Sequence, residues 1–180
     1  MLTANTKYGC IIADPPWAAQ AGGGQSKRGA DRHYPLMSTS AICALQVPVA
    51  DEAVLFLWST WNTIPDALQV MRAWGFRYVS GLPWVKVLKG GDGASMGLGQ
   101  YFRACSEPLL FGTRGVVPRL AGAAPLGLLT EPIISRKLGH SRKPETVYDL
   151  AEHFEGPYLE MFARKSNSGW SAWGNEVLGF

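Results

Sequence analysis

The feature that most constrains this chain is a short apolar run, Tyr8-Gly9-Cys10-Ile11-Ile12-Ala13, that stops at Asp14-Pro15-Pro16-Trp17. An unbroken run rich in β-formers predicts a strand buried on both faces, as in a parallel sheet. The first proline lacks a backbone N–H and ends it. Open α/β sheets take ligands just beyond the carboxyl ends of their strands. This strand is therefore expected to deliver a carboxylate, two stiff prolines and an indole to such a rim.

Those groups define a chemistry. A Pro-Pro step fixes φ at the second proline and is expected to leave the carbonyls without a competing local N–H. Ionised Asp14 only accepts hydrogen bonds. Two rigidly held acceptors suit an exocyclic NH2 group, which offers two donors. Trp17 offers a flat face for a nucleobase, an interaction worth about 1–3 kcal/mol. An amine held through both hydrogens has its lone pair drawn out of ring conjugation and aimed at an electrophile, so rate comes from positioning and electrostatics. The same four residues also make a plain strand-to-turn exit, and only context separates the two.

The rest of the chain alternates strand and helix signals. Ala53–Trp58 reads as a second buried strand. Asn62 reads as the cap of a helix running to about Trp74, with Pro65 in its first turn, Gly75 at its end, and Ile64, Leu68, Met71 and Trp74 on one face. Phe76–Val87 and Ser106–Gly112 read as strands, Ile133-Ile134 as a short edge strand, and Pro157–Ala163 as the last strand. Ser38 or Ser40 can cap a short helix. Lys143-Pro144-Glu145 reads as the proline-started beginning of another, whose buried face carries Val147, Leu150, Ala151 and Phe154. This alternation predicts an α/β, doubly wound sheet. Residues 90–99 read as a glycine-rich, substrate-facing loop; residues 18–33 read equally as a loop closing over substrate or phosphates and as a plain solvated one, and they are no P-loop, since no Gly-Lys-Ser/Thr follows at the required spacing.

The 180 residues fit one domain, expected to span 1–180. The net charge of +3 permits nucleic-acid binding without demonstrating it. Cys10, Cys43 and Cys105 show no metal-ligand spacing, so buried reduced thiols are expected and no metal. No signal segment and no membrane-spanning run is read, and the expected location is the cytoplasm.

Several further blocks stand in order behind Asp14-Pro15-Pro16-Trp17: Tyr34–Ser38, Val54–Trp58, Trp84-Val85-Lys86, Glu107–Gly112, His140–Pro144 and Gly174-Asn175-Glu176. Together they cover most of the chain. With them the sequence resembles the DPPW-type adenine N6-methyltransferases, the MT-A-seventy family of the mRNA adenosine methyltransferase catalytic subunit. The resemblance implies a Rossmann-like class I methyltransferase fold, circularly permuted, mostly parallel, with helices on both faces. It implies S-adenosylmethionine as cofactor and a nucleic-acid substrate. Asp14, Pro15, Pro16 and Trp17 would be catalytic. Tyr34, Trp17 and Glu107 would contact the target base. Asp14, Lys143, Arg164, Asn167, Asn175 and Glu176 would hold the cofactor, with Lys143 on its carboxylate.

The chain also departs from the family. Thirteen residues precede Asp14 where relatives carry a longer lead with an acidic residue for the cofactor's adenine. A partner subunit or homodimer is therefore kept open as completing the site. Ser166 stands where eukaryotic relatives have histidine. No zinc finger or other accessory domain is read in these residues, which favours the microbial and phage members and hence DNA over RNA. An RNA adenosine methyltransferase, and a non-catalytic nucleic-acid scaffold of the same fold, are the alternatives. The intact Asp14-Pro15-Pro16-Trp17 speaks against the scaffold.

Overall fold

The computed structural model describes residues 6–18, 36–88, 90–91, 93–97, 101–116, 132–136 and 142–174. Among them are seven strands: β1 Tyr8–Ala13, β2 Val49–Trp58, β3 Arg77–Val87, β4 Ser106–Arg114, β5 Ile133–Arg136, β6 Tyr158–Met161 and β7 Trp170–Trp173. Three α-helices accompany them: α1 Thr39–Cys43, α2 Ile64–Ala73 and α3 Thr146–Ala151. The strands form one sheet in the order β5-β3-β4-β2-β1-β6-β7. β1 pairs in parallel with β2 and with β6, β3 with β5, and β6 with β7. β4 alone runs against the others, antiparallel to both β2 and β3. The result is a Rossmann-like α/β sheet with β2 at its centre and the first strand beside it.

Period-two alternation divides each central strand between two cores. Ile11, Ala13, Leu55 and Leu57 face one side, where they meet Ile42 of α1 and Ala67, Val70 and Met71 of α2. Cys10, Ile12, Val54, Phe56 and Trp58 face the other, where they meet Val147, Leu150 and Ala151 of α3. Helices therefore cover both faces, and that is why β1 and β2 read as almost continuous apolar runs.

Several boundaries differ from the sequence reading. The α2 helix is entered through a 3-10 turn at Trp61–Thr63, and Asn62 is not its cap. The Thr63 hydroxyl does the local work: it accepts from the Thr60 backbone N–H at 2.9 Å and lies 2.9 Å from buried Ser59 Oγ. The buried stripe of α2 is Ala67, Val70 and Met71, while Ile64 and Leu68 are half-buried. Glu145 is the N-cap of α3, so Lys143 and Pro144 precede that helix rather than start it. The α3 helix ends at Ala151, although Phe154 still packs on its core. β6 is shorter than expected and is not last, because β7 follows it. The three thiols are free, but only Cys10 is fully buried. Its Sγ–H donates to the Ala151 carbonyl at 3.6 Å.

Gly75, expected at the end of α2, has φ +83°, the left-handed conformation that closes a helix most cheaply at glycine. Within the glycine-rich stretch after β3, the described residues fold back on that strand, with Ser95 N–H donating to the Lys86 carbonyl at 2.7 Å. The 18–33 loop lies outside the described residues apart from Ala18. Among the described residues no helix is long and apolar enough to cross a membrane.

Candidate active site

The parallel strands β1, β2 and β6 end at one rim. Asp14 follows β1 there, and Glu160 lies in β6 beside Ile12, its register partner. Asp14 is two residues beyond Ile12, so alternation sends it to the α3 face. β4 runs the other way, and its first residues therefore arrive at the same rim. Glu107 is in register with Trp84 of β3, and Lys86 is two residues beyond Trp84. One antiparallel strand thus brings a glutamate and a lysine beside the carboxylate that ends β1.

A cavity of about 380 Å3 opens there, lined by Ile12, Asp14, Trp58, Val147, Tyr148 and Phe162 together with Arg142, Lys143, Glu145, Glu160, Arg164 and Lys165. Its size is in the range of small-molecule sites. Lys143 Nζ donates to both oxygens of Asp14, at 2.8 and 2.9 Å. It also lies 3.4 Å from Glu107 Oε2 and 5.6 Å above the Trp58 ring. The other oxygen of Glu107 accepts from Lys86, whose Nζ sits 4.8 Å over the Trp84 ring. Both ammonium seats are within cation–π range.

Two carboxylates here are pushed in opposite directions. Burial raises the Glu107 carboxyl, but Lys143 and then Lys86 overcome it and hold it below the ordinary glutamate value. Burial raises Glu160, and hydrogen bonds from Tyr148 and Asn167 only partly offset it, so it stays above that value. Asn167 Nδ2 donates to Glu160 Oε2 at 3.2 Å. At the cavity mouth, exposed Glu145 accepts from Lys165 and Arg142, each at 2.9 Å, and these bonds lower its carboxyl.

The structure brings Asp14, Lys143 and Arg164 into one cavity wall, and Asn167 reaches that wall through Glu160. Glu107 stands behind Lys143. Pro15 is buried at the turn. Its carbonyl is not open as expected, since the Trp17 N–H donates to it at 2.9 Å, and Met37 N–H donates to the Pro16 carbonyl at 2.8 Å. The two-residue loop back to Pro15 forms because Trp17 is the first residue after the prolines with an N–H to give. A carbonyl has a second lone pair, so the Pro15 oxygen retains acceptor capacity.

Trp17 does not line the cavity. It packs, partly buried, against the α1/α2 core, and its Nε1–H donates to the Trp58 carbonyl at 3.1 Å. Tyr34, Asn175 and Glu176 lie outside the described residues. Sequence reasoning missed Glu160, Tyr148, Trp58, Arg142, Glu145 and Lys165 as cavity residues, and Lys86 as the second partner of Glu107. Alternation from Ile12 across the β1–β6 register would have found Glu160, had that pairing been known.

The donor set fits S-adenosylmethionine. Arg142, Lys143, Arg164 and Lys165 can meet a carboxylate, while Asp14, Glu145 and Glu160 can meet cationic groups. Among the described residues the buried Trp58 Nε1–H has no hydrogen-bond partner. Among the described residues no group of acidic, histidine or cysteine side chains could hold a metal ion.

A mixed-charge cavity at the carboxyl ends of the central strands is where open α/β sheets take small ligands. The family model described as MT-A70 matches residues 8–176, and the chain belongs to the MT-A70 family. It is similar to the type II methyltransferase M.MunI of Mycoplasma sp, 28% identical over 95% of this chain and 78% of that protein. It is also similar to a putative N(6)-adenosine-methyltransferase MT-A70-like protein of Medicago truncatula, 27% identical over 96% of this chain. The human N(6)-adenine-specific methyltransferase METTL4 is 26% identical over 100% of this chain. The chain spans only 27% and 39% of the length of those last two relatives.

Proposed function

We propose that this protein is an S-adenosylmethionine-dependent adenine N6-methyltransferase acting on nucleic acid, with DNA the favoured substrate. The observation that carries the reading is the Asp14–Lys143 pair in the wall of the mixed-charge cavity. It sets the acceptor for an amine beside the cation for an amino-acid carboxylate. M.MunI, of whose length the chain spans most, supports DNA, and the N6-methyladenosine RNA methyltransferase MTA1 of Cryphonectria parasitica keeps RNA as the second reading.

Lys143, Arg164 and the polar groups Asn167, Asn175 and Glu176 would hold the cofactor. Bound there, S-adenosylmethionine supplies a methyl group on a sulfonium, an electrophile that needs no metal. Asp14 and the remaining lone pair of the Pro15 carbonyl accept the two hydrogens of the adenine amine and turn its lone pair toward the cavity. Tyr34 and Glu107 are assigned to the target base. Trp17 borders its site rather than the cofactor's. Lys143 donates to both Asp14 oxygens and fixes the pose of that carboxylate, so the gain comes from orientation. Once alkylated, the nitrogen is a strong acid, and the Asp14 oxygens are in reach of its proton. A paired base must first leave its duplex, at a cost of a few kcal/mol.

Labelled-methyl transfer to matched DNA and RNA oligonucleotides, with the product nucleoside identified, tests this. N6-methyladenine in DNA, exceeding that in RNA, is the expected result. Preferential RNA labelling would move the substrate to the second reading. No transfer to either, together with no cofactor binding by calorimetry, would leave the scaffold.

A further inference from the structure

Lys86, Glu107, Lys143 and Asp14 form a line of alternating charge drawn from β3, β4, the segment before α3, and the end of β1. Its spacing is uneven. Lys143 is 2.8 and 2.9 Å from the Asp14 oxygens but 3.4 Å from Glu107. Glu107 gives its other oxygen to Lys86. Lys143 thus pairs with both carboxylates but sits nearer Asp14, while the nearest cation to Glu107 is Lys86. The line is largely withdrawn from solvent: the Lys143, Glu107, Lys86 and Asp14 side chains are 14%, 16%, 18% and 26% exposed. In such surroundings an unpaired carboxylate is costly and will take whatever cation is in reach.

The two ammonium seats are built alike. Lys143 lies over Trp58 and Lys86 over Trp84, and those two rings meet edge-to-face at 5.7 Å. Lys86 itself is absent from the cavity wall. We propose that Lys86 is a positioning residue: by occupying Glu107 it leaves Lys143 on Asp14, and so fixes the carboxylate that receives the amine. Without Lys86, Glu107 is left, among the described residues, with Lys143 as its cation and draws it away from Asp14. The reaction then slows although nothing touching the substrate has changed. This inference rests on the adenine-methylation reading above.

The test compares Lys86→Met, Lys86→Arg, Glu107→Gln and the Lys86→Met/Glu107→Gln double variant in the full chain. Steady-state methyl transfer to an adenine-containing oligonucleotide is measured for each. Lys86→Met should lower kcat by about tenfold or more while the KM for the oligonucleotide moves by less than about threefold. Lys86→Arg should recover most of the rate. Glu107→Gln should cost less than Lys86→Met, and the double variant should return to the Glu107→Gln level, because the stranded anion is gone. Wild-type rates in Lys86→Met would overturn the proposal. So would a double variant no faster than Lys86→Met, since the loss would then not pass through the stranded Glu107 carboxylate.

A second arm needs no turnover. The Lys143 ammonium is followed by 15N NMR in the protein without cofactor. Its resonance should move in Lys86→Met and match that of Glu107→Gln in the double variant. A Lys143 resonance unmoved by Lys86→Met overturns the relay. If wild-type protein transfers no methyl but the Lys143 resonance moves in this way, the functional reading fails and the relay stands.

Discussion

At the scale of single residues, the cavity sets two glutamates against each other, and stability should record it. Folded Glu107 holds its proton less tightly than a glutamate in the unfolded chain. Its contribution is fully present above the ordinary glutamate pKa and is lost as pH falls through its own depressed value. Folded Glu160 holds its proton more tightly, so stability drops as pH rises from the ordinary value through its raised one. Thermal unfolding midpoints measured across acid and neutral pH should separate the two. Glu107→Gln should flatten the acid limb. Glu160→Gln should remove the decline on the other side and raise the neutral-pH midpoint, because a buried charge is replaced by an amide that can still accept from Tyr148 or Asn167. Equal pH profiles for both variants and the wild type would contradict this electrostatic picture. Asp14 and Lys143 were legible in the sequence because each stands in a block of recognisable residues. Glu160 was not, and Lys86, although it stands in the Trp84-Val85-Lys86 block, was given no partner there. What places them is a strand register between residues far apart in the chain, and no local pattern encodes that.

At the scale of elements, the prolines and glycines announced most boundaries, and hydroxyls set the one they did not. The turn into α2 looked like an Asn62 cap because asparagine is a favoured capping residue. The structure uses the Ser59–Thr60–Thr63 cluster instead, with Ser59 and Thr63 buried. Thr63→Val keeps the shape but leaves the Thr60 N–H and the Ser59 hydroxyl short of a partner. It should cost roughly 1–3 kcal/mol in denaturant unfolding, and Thr63→Ser should cost less. A Thr63→Val variant as stable as wild type would return the turn to local propensity. The direction of β4 was likewise unreadable, since a buried apolar run looks the same in either direction. That direction matters: were β4 parallel, Glu107 would lie at the opposite rim from Asp14.

At the scale of the whole molecule, the first strand in sequence lies in the interior of the sheet, and the strands at its margins come late in the chain. β1 is paired on both sides, whereas β5 and β7 each pair along one side only. Amide exchange should follow that order. Amides of β1 and β2 should exchange only with global unfolding, and those of β5 and β7 through smaller openings. Equal protection across all four would contradict the topology. The interior position of β1 also gives the corner at Asp14 its stiffness, because β2 and β6 hold the strand that ends there. The claim on which the rest depends is that this corner grips the amine while the neighbouring groups hold the cofactor. Asp14→Ala tests it most directly, with S-adenosylhomocysteine affinity measured by calorimetry beside labelled-methyl transfer on the same preparation. Affinity within several-fold of wild type, with transfer abolished, is the result predicted. Methyl transfer at the wild-type rate would contradict it.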